Sequence, residues 1–239
     1  MTWAAFVIGV LANLATLPMT AFIIWLWFVF FGRSRLLKFF GIARGERLRI
    51  YVGRIDHQPE KDLVGFEEMN QAKNIEALFK SVVPGLGDQL GMLRFLRMTD
   101  IHTEILPGTP KSSDVTLECS FISLGLSTSN AASSLLEEEL RCPVKYDRKT
   151  ECIITPDCPP IDTGDLGFVA RIRRGDMNYF YIGGLPESTT AGCARYLIQN
   201  WKSMRKKYGY TTSFYYVLQM RDGDRTAERK MDNELRIPK

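Results

Sequence analysis

The chain has 239 residues, with 31 Lys and Arg against 27 Asp and Glu, a formal net charge of +4, five cysteines and two histidines. With only His57 and His102 present, a multi-histidine metal centre is excluded; Cys119, Cys142, Cys152, Cys158 and Cys193 are odd in number and follow no zinc-like spacing. The excess positive charge is concentrated between Arg33 and Arg49, so the remainder is near neutral, which argues against a nucleic-acid-binding face.

The first predicted element is the stretch from Ala4 to Phe31, which contains no charged residue. As a helix it would reach roughly 40 Å, and about 20 apolar residues suffice to cross a hydrocarbon core of about 30 Å. A cleaved signal peptide would need a basic start, a shorter apolar centre and a small-residue cleavage site. Met1-Thr2-Trp3 and the aromatic run before Gly32-Arg33 provide none of these. A buried soluble helix would be unusually long and apolar, and a hairpin broken between Asn13 and Pro18 would have a first arm too short to cross. The expectation is therefore one uncleaved transmembrane helix within residues 1–32.

Arg33, Arg35, Lys38, Arg44, Arg47 and Arg49 follow, against the single acid Glu46. The positive-inside rule then places the N-terminus outside and the C-terminal domain in the cytoplasm, as a single-pass inner-membrane protein whose partner is the lipid bilayer. Asn13, Thr16 and Thr20 share one helical face. They either bond back to their own helix or mark the contact face of a homo-oligomeric bundle.

Residues 33–47 read as a basic juxtamembrane linker, in which Leu36 to Ile42 forms a short amphipathic segment at the membrane surface. An α/β domain follows over 48–222, with a polar, fraying tail over 223–239. Within the domain, alternation predicts a strand over Arg47–Ile55, a helix over Phe66–Val83, a second helical piece over Asp88–Arg97 and a strand over Ile101–Leu106. A strand over Val115–Leu124 then leads directly into a helix over Ala131–Leu140. Short strands at Val144–Tyr146 and Glu151–Ile154 precede a hairpin of Leu166–Ile172 and Tyr179–Ile182 turning at Arg173-Arg174-Gly175-Asp176. A long helix over Ala191–Tyr208 and a last strand over Phe214–Met220 complete a Rossmann-like layered domain with a mixed, mainly parallel sheet.

Two junctions share one grammar of strand, Gly, hydroxyl cluster and helix. The first is Gly125, Ser127, Thr128, Ser129 and Asn130; the second is Gly183, Gly184, Ser188, Thr189 and Thr190. Free N–H groups at helix starts attract anions, and open α/β sheets bind ligands at the carboxyl ends of their strands, so a nucleotide-like ligand fits both loops. The same residues are also ordinary helix N-caps. Neither loop has P-loop or dinucleotide-fingerprint spacing, and the sequence calls for neither a metal nor a bound cofactor. Asp162, Asp165 and Glu187 are the nearest acids available for a catalytic role, whereas Arg171, Arg173 and Arg174 either reach a phosphate or, as is commoner for such strand residues, form one solvated face. Three readings stay open: a domain that senses its ligand, a membrane-tethered enzyme that acts on a nucleotide or sugar nucleotide, and a membrane scaffold with no ligand, whose loops are only caps.

The layout resembles the membrane-anchored effectors of prokaryotic antiviral signalling, in which one or a few spans precede a cytosolic Rossmann-like sensor of CARF, SLOG or related type. The resemblance rests on the organisation of the chain and on the loops Gly125–Asn130 and Gly183–Thr190, with Gly183, Gly184 and Gly192 echoing part of the glycine-rich SLOG pattern. It implies a sensor that reads a nucleotide messenger and reorganises an oligomeric span lined or gated by Asn13, Thr16 and Thr20.

Overall fold

The computed structural model describes residues 34–43, 46–53, 64–80, 102–107, 115–147, 149–150, 152–156, 161–162, 166–221 and 224–234. The apolar stretch 4–31, with Asn13, Thr16 and Thr20, lies outside them, as do the expected helix over 88–97 and Asp165. No helix among the described residues is long and apolar enough to cross a membrane.

The described chain opens with a short helix, α1 (34–40), then runs β1 (Leu48–Val52), α2 (Phe66–Lys80), β2 (Thr103–Pro107), β3 (Phe121–Leu124) and α3 (Ala131–Glu138). Three short strands follow, β4 (Lys145–Asp147), β5 (Cys152–Ile154) and β6 (Ile161–Asp162). The chain ends with β7 (Leu166–Arg174), β8 (Met177–Gly184), α4 (Glu187–Tyr208), β9 (Phe214–Arg221) and β10 (Asp224–Glu234). The seven-stranded sheet has the order β10-β9-β7-β8-β3-β1-β2, and β4-β5-β6 form a second sheet. Strands β8, β3, β1 and β2 pair in parallel, whereas β7 and β10 run against them and against β9. The mixed α/β class is as expected, and most strands point one way.

The central strands are apolar on both faces because both are covered. On one face α1, α2 and α4 pack over Ile50, Val52, Ile122, Phe180 and Phe214. On the other, α3 packs with Tyr51, Phe121, Phe168 and Tyr181, joined by Val144 and Ile153 from the short-strand region. The Arg174–Met177 pair closes the expected hairpin over Gly175-Asp176, where Gly175 supplies the positive φ of +61° that the turn requires.

Several elements depart from the sequence expectation for identifiable reasons. The strand expected from Val115 begins only at Phe121. Residues 117–119 turn, the Glu118 N–H donates to Thr116 Oγ1, and the Ser120 hydroxyl donates to the Gly41 carbonyl at 2.6 Å. Helix α4 starts at Glu187 rather than Ala191, with Pro186 at its N-cap and an acid in its first turn, so Ser188, Thr189 and Thr190 are helical. The polar stretch after Arg221 is no fraying tail over 224–234: it pairs antiparallel with β9 as an edge strand.

The segment 36–42 is part of the core rather than a surface connector: Leu36, Phe39, Phe40 and Ile42 are buried. Phe40 lies 4.7 Å from Phe180 and 5.0 Å from Phe79 of α2 between ring centroids. Phe39 meets Trp201 and Phe214, and its carbonyl accepts from Asn178 Nδ2. Arg171 is likewise no member of a solvated face, being fully buried with its guanidinium donating to the carbonyls of Gly209 and Thr212.

Candidate functional site

The chain leaves β1 by α2 on one face of the sheet and returns at β2. It leaves β3 by α3 on the other face and, after β4–β6, returns on the opposite side through the β7–β8 hairpin, whose second strand, β8, pairs in parallel with β3. The carboxyl ends of β1 and β3 are therefore a topological switch point, the place where open α/β sheets form a ligand crevice.

Two glycines line this point. The Gly53 N–H donates to the Leu124 carbonyl at 2.8 Å, and the Gly125 N–H to the Ile182 carbonyl at 2.9 Å. Gly125 has φ +106°, a conformation that disfavours any side chain. Into the gap the two glycines leave comes the carboxyl of Glu68, from the first turn of α2. A Cβ on Gly53 would lie 3.0 Å from both Glu68 Oε2 and Ser129 Oγ; one on Gly125 would lie 3.4 Å from both Glu68 carboxyl oxygens. Glu68 is 7% exposed. Burial, and secondarily the Glu187 carboxylate, push its carboxyl up to about 7 against the opposing pull of the Gly53 backbone hydrogen bond.

Glu187 comes from the first turn of α4. Its Oε1 accepts from the Glu67 N–H at 2.7 Å and the Glu68 N–H at 3.2 Å, so a side chain more than a hundred residues away caps α2. A side chain on Gly65 would strike this carboxylate. The two acids thus meet where α2 and α4 begin, and the exposed apolar side chains Phe66 and Leu185 stand at the same end of the molecule.

The residues singled out from the sequence occupy this edge in different roles. Asn130 caps α3: its Oδ1 accepts from the Ala132 N–H, and its Nδ2 donates to the carbonyls of Tyr51 and Leu124, tying β1 to β3. Ser129 faces Gly53, and its hydroxyl donates to the Leu126 carbonyl at 3.3 Å. Ser127 hydrogen-bonds Glu137, whose carboxyl also accepts from the Tyr181 hydroxyl at 2.7 Å; burial pushes that carboxyl up, and these bonds partly offset the shift. Thr128 and Ser188 are exposed.

In the second loop, Thr190 Oγ1 donates to the Gly184 carbonyl at 3.0 Å, and Thr189 is buried with its methyl group against Gly184. Gly183 packs against Leu126 and Phe168, which joins the two loops side by side. Of the three acids considered from sequence, Glu187 stands at the switch point, and the side chains of Asp162 and Asp165 lie outside the described residues.

Glu68 escaped sequence reasoning because acids are common in the first turn of any helix. The available signal was a third strand-to-helix junction, bounded by glycines but without a hydroxyl cluster: Gly53 follows β1, and Gly65 precedes α2. Among the described residues no group of three or more His, Cys, Asp or Glu is placed to hold a metal ion. No protein-family model, curated protein or solved structure matches this chain, so its function is argued from the switch point itself.

Proposed function

We propose that this is a membrane-anchored sensor whose α/β domain binds a nucleotide-like ligand at the carboxyl edge between β1 and β3 and passes the signal to an oligomeric span within residues 1–32. The observation that carries this reading is the Glu68 carboxyl, buried between two glycines at the switch point of the sheet. A carboxylate there accepts hydrogen bonds from a ribose diol or a base amino group. Ser129 adds a hydroxyl, and the exposed Phe66 offers an aromatic face at the same edge. The uncharged stretch 4–31 and the cations after it support the anchor. The resemblance to antiviral effectors supports the sensing role.

The test is a thermal-shift and calorimetric screen of the full chain in nanodiscs against nucleosides, nucleotides and cyclic oligonucleotides. A specific binder at 100 times its Kd adds about 2.7 kcal/mol of stability. Glu68→Gln is expected to weaken that binder at least tenfold; unchanged affinity would place the ligand elsewhere, and the absence of any binder would reject the sensor.

One observation favours a second reading. A carboxyl pushed up to about 7 beside a second carboxylate is suited to general acid–base chemistry, as in a membrane-tethered enzyme acting on a nucleotide or sugar nucleotide. Turnover of a bound nucleotide, lost in Glu68→Gln and Glu187→Gln, would select it over the sensor.

A further inference from the structure

The candidate ligand edge is one end of the sheet; α1 marks the other. Leu48 begins β1 beside it, Gly41 packs on Asn178 at the start of β8, and the Gly41 carbonyl holds Ser120 just before β3. Helix α4 runs from the ligand edge, where Glu187 caps α2, down to this amino end, where Trp201 packs on Phe39 and Tyr208 on Phe214.

Arg171 ties the parts of this end together. Its guanidinium lies against both the Phe39 and Phe214 rings, and it donates to the carbonyls of Gly209 and Thr212 beyond the end of α4. Four separate segments at this end carry exposed cations: Arg35 and Lys38 on α1, Arg47 before β1, Arg174 at the β7–β8 turn and Lys206 in the last turn of α4. Acids are present at this end as well: Asp232 accepts from Lys207 and Tyr208, Asp176 pairs with Arg173, Glu104 with Arg49, and Glu46 accepts from the Ala43 N–H, while Glu118 before β3 and Glu234 beside Phe214 are exposed.

The uncharged stretch ends at Phe31, three residues before α1, and three residues span at most about 11 Å. Because α1 is packed in the core, the end of that stretch can lie no farther than this from the domain.

We infer that the domain is held amino end down against anionic lipid headgroups, with Arg35, Lys38, Arg47, Arg174 and Lys206 as its membrane-facing surface and the Glu68 edge turned to solvent. This rests on the membrane anchor proposed above and adds a fixed orientation to it. Each cation near an anionic surface strengthens the attachment, and together they resist tilting of the domain. The ligand edge is then open to a soluble messenger, and α2 and α4 run from that edge to the helix that meets the bilayer.

The experiment uses the full chain in nanodiscs of phosphatidylcholine with phosphatidylglycerol, carrying p-benzoylphenylalanine in place of Trp25, Arg174, Lys206 or Ser188, one at a time. Irradiation followed by mass spectrometry is expected to show phospholipid adducts at positions 25, 174 and 206 and none at 188. In phosphatidylcholine alone the yields at 174 and 206 should fall severalfold while that at 25 holds. Adducts at 25 but not at 174 and 206, adducts at 188, or equal yields in the two lipids would each overturn the docked face and leave the anchor standing. No adduct at 25 would overturn the anchor and the inference with it.

Discussion

The guanidinium of Arg171 lies 4.9 Å from the ring centre of Phe39, joining a fully buried cation in β7 to the first helix of the domain. Burial pulls its pKa down to about 9, with repulsion from Arg173 adding to the effect, so it still carries its charge at neutral pH. The ring faces of Phe39 and Phe214 and two backbone carbonyls replace the water it has lost. Phe39→Ala should cost about 3–5 kcal/mol of stability. A double-mutant cycle with Phe39→Leu and Arg171→Met, read by denaturation in detergent, should return a coupling of about 1–2 kcal/mol. A coupling near zero would mean that Phe214 and the two carbonyls hold Arg171 without help from Phe39.

Glu68 sets a pH dependence of definite sign. Its carboxyl moves from an ordinary 4.5 to about 7 on folding, so between those values the native state binds more protons than the unfolded chain. The stability it contributes therefore falls as pH rises through this window, by up to about 3 kcal/mol, and is level above it. Glu68→Gln should be more stable than the parent at pH 8 and close to it at pH 4. Thermal melts at both values check this, and equal melting points at pH 8 would contradict it.

Glu187 has two opposed effects on the fold. It caps α2 through the Glu67 and Glu68 N–H groups, and it repels the Glu68 carboxylate. Glu187→Ala should lose about 0.5–2 kcal/mol of capping energy, with a smaller net loss at pH 8 than at pH 5 because the repulsion is relieved where Glu68 is ionised. Glu187→Gln keeps an acceptor oxygen and should lose less at either pH. Denaturation of the three proteins at both pH values separates the two effects.

The glycines at the site differ from the one in the hairpin. Gly125 combines φ +106° with crowding by Gly53 and Glu68, whereas Gly175 has φ +61° with nothing within 4 Å of an added Cβ. Gly125→Ala should cost about 1–3 kcal/mol and disturb ligand binding, while Gly175→Ala should cost about 1 kcal/mol and leave binding intact. Paired melts and titrations test this contrast.

The sequence made legible what depends on local pattern. The alternation of strands and helices, the β7–β8 hairpin and the Gly125–Asn130 junction all have short-range signals in spacing and turn residues. What stayed hidden depends on distant partners. Arg171 looks like a surface residue until Phe39 and Phe214 are brought around it. Glu68 looks like any first-turn acid until Gly53, Gly125 and Glu187 meet it. Leu36 to Ile42 has the amphipathic pattern of a membrane-surface helix, and only the aromatic rings of α2, β8 and α4 show which surface its apolar side covers.

Strand β10, with the charged sequence DRTAERKMDNE and two register shifts against β9, closes one side of the sheet. Beneath it lies FYYVLQMR, a run rich in aromatic and branched residues that would form amyloid-like contacts if its backbone were left open. Strand β10 thus covers the open edge of β9, and removing the residues after 221 is expected to leave that edge free to pair with a second copy of the chain.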